Sequence, residues 1–255
     1  MRIEDFKLID NRRLTRDYFI LDLESKGKLP EILPGQFIQL RVDNDRKTFL
    51  RRPISVFDVD YTNNIISLLI KRVGSGTMAM SGLEKGKMVN IIYPLGNTFS
   101  PGPGNARSLL VGGGVGVAPL LMLAKALKAR THDFKFLLGY QTSEDIIEKE
   151  RFARMGEMLI TTDDGSYGYK GLLTEHPELH KYNYDRIYCC GPELMMKAVA
   201  AIARDGEKFC EVSLENTMAC GYGVCLCCVV DTTRGKVCTC TEGPVFNINE
   251  LKWQI

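Results

Sequence analysis

The stretch SLLVGGGVGVAPLLMLAKALKA, residues 108–129, decides the fold. Ser108 to Val111 opens an apolar run of strand length, which enters a glycine turn. From Ala118 the apolar residues recur at helical spacing, and Pro119 stands near the first turn, where its missing N–H is tolerated. Strand, glycine turn and amphipathic helix in that order begin a βαβ unit. Downstream, FKFLLGYQ, MLITTDD and RIYCCGP continue the strand series, so a parallel-sheet domain is expected over residues 102–212.

The same turn carries chemistry. Gly112, Gly113, Gly114 and Gly116 let the backbone approach a dinucleotide pyrophosphate, and the following helix N-terminus supplies a positive field. The spacing departs from G-x-G-x-x-G, because Pro119 replaces the last glycine; a tight strand-to-helix turn alone would also account for these residues. Asp163-Asp164-Gly165 and Cys190-Gly191-Pro192 fall at the carboxyl ends of later strands, where open α/β sheets bind ligands. Asp164 and Gly191 therefore join the candidates. Cys190 reads either as a group near the reacting atoms or as a small buried hydrophobe.

Upstream, the texture changes. YFILDLE, QFIQLRV, IISLLIKRV and KMVNIIYP are short strand-like runs separated by the turn signals LPGQ, DYTNN and LEKGK. They predict a small antiparallel barrel over residues 1–101. PLGNTFSPGPGNARS then reads as a linker. Within the barrel, Arg52-Pro53-Ile54-Ser55 offers a planar guanidinium to a pyrophosphate. Gly74-Ser75-Gly76-Thr77 opens a helix-like segment whose first N–H groups suit the same anion. A strand arginine and an ordinary turn would look alike in isolation.

Downstream, residues 213–255 are rich in glycine and cysteine and too short to hold a core of their own. Seven of the nine cysteines lie at or after residue 210. Cys220-x4-Cys225-x2-Cys228, with a further cysteine downstream, has the spacing of plant-type [2Fe–2S] ferredoxins. A zinc site of four cysteines is the competing reading, although zinc ribbons show two separated C-x2-C knuckles, and here the downstream pair is Cys238-x-Cys240. Free buried thiols are a third. An odd cysteine count without an export signal argues against a disulfide framework.

Composition limits the remaining choices. A formal charge of +2 gives no general reason to expect nucleic acid or an anionic membrane as partner. The opening MRIEDFKLID carries no signal-peptide core, and the longest uncharged apolar run is broken by glycines and Pro119. A cytoplasmic location is expected. A nicotinamide exchanges hydride while an iron–sulfur cluster moves single electrons, so a flavin is needed between them. That makes the barrel's anion site a flavin site.

RRPIS, GSGT, PLGNTF, VGGGVGVAP, DDGSYG, CGP and ENTMACGYGVC…CTCTEGPVF together resemble the electron-transfer subunits of heteromeric, NAD-dependent dihydroorotate dehydrogenase, a branch of the ferredoxin–NADP reductase superfamily. The resemblance runs the whole length of the chain and implies FAD on the barrel, NAD on the α/β domain and a [2Fe–2S] cluster in the tail. By similarity the FAD contacts are Arg52, Pro53, Ile54, Ser55, Leu69, Ile70, Lys71, Gly76 and Thr77. Arg52 is expected at the pyrophosphate and Ser55 near the reactive flavin edge. Ile54 stands where relatives often carry tyrosine. Cys220, Cys225 and Cys228 match cluster ligands, and the family register before GPVF points to Cys240 as the fourth. Cys227 and Cys238 take no role.

Dihydroorotate oxidation itself needs a second flavin and a base on a (β/α)8 barrel of about 250 residues. All residues here are already allocated. The resemblance therefore implies an FMN-containing catalytic partner, in a heterotetramer of two copies of each chain. Reductase subunits serving ferredoxin, a hydrogenase or glutamate synthase share the flavin and nucleotide motifs. A non-catalytic redox sensor is a further reading, distinguished by its lack of rapid flavin reduction by NADH.

Overall fold

The computed structural model describes residues 1–43, 48–181 and 183–253. Strands β1 (Arg2–Arg13), β2 (Tyr18–Glu24), β3 (Phe37–Leu40), β4 (Arg52–Ser55), β5 (Asp58–Asp60), β6 (Ile65–Lys71) and β7 (Met88–Leu95) form a seven-stranded sheet in the order β4-β3-β7-β1-β2-β6-β5. Every pairing is antiparallel. Between β4 and β5 the chain crosses from one edge to the other. Val56 N donates to Gln36 O beside β3 at 3.1 Å, and Phe57 N donates to Ser67 O on β6 at 3.0 Å. Those two bonds close the sheet into a barrel.

The four strand-like runs reappear as β2, β3, β6 and β7. Strand β1 gave no such signal. Of its residues only Phe6 and Leu8 are buried, and charges occupy much of the rest, so its place is set by pairing with β2 and β7 rather than by apolar content. Helix α1 (Ser75–Ser81) follows the Gly74 turn.

The second sheet begins with β8 (Arg107–Gly113), α2 (Ala118–Ala129) and β9 (Asp133–Tyr140). It continues through α3 (Lys149–Ala153), β10 (Glu157–Thr162), β11 (Tyr169–Lys170), β12 (Arg186–Cys190), α4 (Glu193–Asp205) and β13 (Phe209–Ser213). A hairpin, β14 (Val229–Thr232) with β15 (Gly235–Cys238), precedes β16 (Val245–Asn247). The sheet order is β11-β10-β9-β8-β12-β13-β16, parallel except for the β13–β16 pair. Strand order reverses at β8, so a crevice opens beyond the carboxyl ends of β8 and β12.

The two sheets are joined by packing and charge. Tyr18, Phe57, Leu69 and Phe99 share one apolar cluster with Leu120 and Leu121 of α2. Asp58 on β5 is buried and accepts Lys125 Nζ of α2 at 2.5 and 2.6 Å, and it also pairs with Arg151 of α3. The Arg151 guanidinium lies 4.8 Å from the Phe57 ring centroid. A buried carboxylate with two cationic partners resists removal of either, since the remaining charge would stay desolvated.

The tail takes its core from its neighbours. Phe246, Ile248 and Leu251 pack with Cys210 and Val212 of β13. Asn97, just after β7, holds the segment before and within β16: its Nδ2 donates to Glu242 O at 2.7 Å and Val245 O at 2.8 Å, while its Oδ1 accepts Val245 N at 2.9 Å. PLGNTF and GPVF, distant in sequence, are thus two halves of one contact. No helix among the described residues is long and apolar enough to cross a membrane.

Candidate functional site

A cavity of about 500 Å³ lies between the barrel and the parallel sheet. Arg52, Pro53, Ile54 and Ser55 of β4 line it, with Leu69, Ile70 and Lys71 of β6 and Thr77 of α1. Val115 of the glycine turn and Ala118 of α2 line it from the parallel-sheet side. Gly76 stands behind the lining, where a Cβ would lie 2.8 Å from Arg52 Nε. Arg52 Nη1 donates to Leu50 O at 3.2 Å and Arg51 O at 3.3 Å, which fixes the guanidinium. The Thr77 hydroxyl is engaged locally, accepting Val73 N at 2.9 Å and donating to Gly74 O at 3.1 Å. A cavity of this size with a fixed cation on its wall and a lining that mixes apolar side chains with a few polar ones suits a flavin dinucleotide.

Sequence reasoning missed part of this cavity. Phe37 of β3, Pro244 and the run Ser213 to Met218 also line it. Ser213 ends β13, so the carboxyl-end rule that singled out Gly191 applied to it equally. Phe37 and Pro244 had no local signal.

A second cavity, of about 440 Å³, opens at the switch point. Gly113, Gly114, Tyr140, Asp145, Asp163, Pro192 and Met195 contribute to its walls. Gly113 and Gly114 present only backbone to it, the approach a pyrophosphate requires. Lys71 lines both cavities, with Nζ 5.4 Å from the centroid of the Tyr18 ring. The two chambers meet there.

Other expected residues lie around this chamber rather than on it. Gly116 allows a close approach: a Cβ would sit 2.4 Å from Cys190 O. Gly112 packs under α2, against Leu120 and Val117, and Pro119 is buried in the first turn of α2. Gly191 adjoins the backbone of Gly113. Cys190 is buried, burial pushes its thiol pKa well up, and it lines neither cavity. Asp163 lines the second cavity, whereas Asp164 faces solvent. The Asp164 carboxylate accepts Ser166 Oγ at 2.6 Å and Ser166 N at 2.9 Å, and these bonds hold its pKa below the ordinary value.

The cysteine loop lies against the first cavity. Cys228, Cys238 and Cys240 are buried in one cluster with Phe37, Ile92, Leu95 and Met218, while Cys225 and Cys227 are exposed. Burial works against ionisation of Cys220, but N–H groups of Tyr222, Cys225 and Val224 converge on its sulfur and bring its pKa down to about 6. Burial and the neighbouring Cys228 hold the Cys240 thiol up, at about 12. Gly223 N nonetheless donates to Cys240 Sγ at 3.2 Å, whereas Cys238 Sγ is 3.9 Å from the Gly223 carbonyl oxygen. A ligating sulfur is a thiolate and takes N–H donors; a sulfur facing a carbonyl is a thiol. Among the described residues no three ligating side chains converge tightly enough for a single metal ion. Cys220 interacts with Cys225, and Cys228 with Cys240 and Cys238. Thiols on a glycine-bearing loop whose N–H groups turn toward sulfur fit a [2Fe–2S] centre.

Residues 5–99 match the oxidoreductase FAD-binding domain and residues 110–201 the oxidoreductase NAD-binding domain. Residues 215–252 match the iron–sulfur cluster binding domain of dihydroorotate dehydrogenase B. The chain is 39% identical to the dihydroorotate dehydrogenase B (NAD(+)) electron transfer subunit of Caldanaerobacter subterraneus subsp. tengcongensis, over 96% of each chain. It is 38% identical to the protein of that name from Clostridium perfringens, over 99% of this chain and 100% of the other. A solved structure of an NADH-dependent reduced ferredoxin-NADP oxidoreductase superposes with a TM-score of 0.89 at 30% identity, covering 97% of this chain and 90% of that one.

Proposed function

Because the chain belongs to the electron-transfer subunits of NAD-dependent dihydroorotate dehydrogenase B, we propose how its residues divide that work. The protein passes electrons from dihydroorotate oxidation through an iron–sulfur centre and FAD to NAD+ in pyrimidine biosynthesis. FAD and the cluster supply, when bound, the exchange between a nicotinamide's hydride and single electrons.

Arg52 neutralises the FAD pyrophosphate, and Gly76 leaves room for its guanidinium. Pro53, Ile54, Leu69 and Ile70 would give the flavin an apolar seat, and Ser55 would be the polar group of β4 nearest to its chemistry. Lys71, which lines both chambers, would contact flavin and nicotinamide alike. Gly113 and Gly114 receive the NAD pyrophosphate on bare backbone, while Gly112, Gly116, Pro119 and Gly191 hold that turn in shape. Cys190 contributes through packing beneath it. Cys220, Cys225, Cys228 and Cys240 hold the [2Fe–2S] centre. Residues 1–101, 102–212 and 213–255 form the FAD, NAD and cluster domains.

An electron-transfer subunit implies a catalytic partner. We take that partner to be an FMN-containing subunit, assembled as two copies of each chain in the cytoplasm, without nucleic acid or membrane.

One observation carries the reading: the first cavity shares Lys71 with the nucleotide chamber and shares Phe37 and Met218 with the buried cysteines. Three sites in a row, with shared walls, suit a relay. The test is to co-purify the chain with its partner from native extract and assay dihydroorotate-dependent reduction of NAD+. Activity that requires both chains is the expected result. Flavin that NADH fails to bleach in a stopped-flow trace would overturn the reading.

A further inference from the structure

Gln39 lies at the centre of β3, opposite Pro53 of β4 and Ile92 of β7, and is fully buried. Neither Nε2 nor Oε1 has a hydrogen-bond partner among the described residues. A primary amide shut away with both polar ends unpaired is costly, because each end has given up its bonds to water. Its surroundings show where the missing partner belongs. The side chain lies directly on Gly221: a Cβ there would be 2.9 Å from Gln39 Nε2, 3.0 Å from Cγ and 3.1 Å from Cδ. Gly221 has φ of +79° and follows Cys220, the first thiol of the cluster loop. The neighbour across the strand, Ile92, packs with Cys228, Cys238 and Cys240. The amide therefore projects from the flavin barrel against the base of the cysteine loop.

We propose that Gln39 is a positioning residue for the iron–sulfur centre, its otherwise unpartnered side-chain NH2 placed at the base of the Cys220 loop to donate to a sulfur of the centre that this loop would hold, and thereby setting the centre's reduction potential. The inference rests on the reading of the tail as a cluster site. Cluster sulfurs and ligating thiolates accept hydrogen bonds and do not donate them, so the NH2 end of the amide is the complementary group. An N–H donor stabilises the more negative, reduced form, so its loss makes reduction harder. Gly221 completes the arrangement, since any side chain there would displace the amide.

The test compares the full-length protein with Gln39→Met, which keeps the volume and removes both polar ends. Iron, sulfide and FAD contents are measured first, then a redox titration is followed by electron paramagnetic resonance. Full iron content with reduction of the cluster disfavoured by about tenfold, about 59 mV for a one-electron couple, is the expected result. A fully loaded variant with unchanged potential and unchanged g values would overturn the proposal, even if its melting temperature fell. Should the variant not fold, the unsubstituted protein grown with [Nε-15N]glutamine decides. Hyperfine coupling of the reduced cluster to a side-chain nitrogen supports the donor, and its absence rejects it. Unsubstituted protein without iron would instead sink the cluster reading, and this inference with it.

Discussion

Cys238 ends β15, Cys240 lies two residues on in the turn that follows, and both are buried beside Cys228. Alternation could not choose between them. Their backbone neighbours differ, an N–H for Cys240 and a carbonyl for Cys238, and this supports the proposal of Cys240 as the fourth ligand. Cys240→Ser should lose or destabilise the cluster, whereas Cys238→Ser should keep about two irons per chain. Both variants should retain FAD and its reduction by NADH. Iron analysis and visible spectra check this, and the reverse pattern would move the ligand. A second residue tests burial. Glu211 on β13 accepts Ser100 N at 2.8 Å, and burial raises its carboxyl pKa above the ordinary value of 4.5. A carboxyl that holds its proton more tightly when folded contributes stability fully below 4.5, and that contribution is lost as pH rises through the folded value. Glu211→Gln keeps an acceptor for Ser100 and removes the ionisation. Its melting temperature should therefore gain on the parent's as pH is raised from about 4 to about 8. A difference that does not change with pH would refute this.

Among the elements, α2 was legible to the residue, because its apolar period, its proline and its glycine turn all agree. Strand β1 was not, because two buried residues in twelve leave little pattern to read. Strand β16 was not, because three residues of GPVFN carry no period and gain their identity from β13. The candidate site divides in the same way. Arg52 to Ser55 and Leu69 to Lys71 stood out as motifs, but Phe37 of the barrel and Pro244 of the tail come to the first cavity only through tertiary packing. The Asn97 contact makes this testable. Asn97→Ala removes two donated bonds and one accepted bond to the segment at β16. It should cost roughly 2–3 kcal/mol at about 1 kcal/mol per bond, and lower iron retention with little change in FAD content. Denaturant unfolding and iron analysis would measure both, and unchanged iron release would show the clamp to be irrelevant to the loop.

For the whole molecule, the nucleotide chamber and the barrel jointly bear on the choice of cofactor. Glu144 and Asp145 follow β9 in a short turn, and Asp145 lines the chamber with its carboxylate on Thr142 Oγ1 at 3.2 Å. Arg151, a cation shortly after that turn, is bound to Asp58 across the interface between the sheets. An additional phosphate on the nucleotide would thus meet acidic side chains rather than a free guanidinium. The kcat/KM for NADPH should be at least about tenfold below that for NADH, a difference of about 1.4 kcal/mol. Equal values in steady-state assays of the loaded protein would contradict this.

The antiparallel pair β13–β16 has a consequence for how the protein is made. The cysteine loop leaves the sheet at Ser213 and the chain returns to the same strand at Val245, which pairs with Ser213. A ribosome delivers every cysteine before it delivers the strand that covers β13. Until then the nascent chain carries an open sheet edge, the kind of surface on which chains stick to one another. Chains halted just short of residue 245 should therefore aggregate more readily than chains halted a few residues beyond Asn247, whether or not iron is supplied.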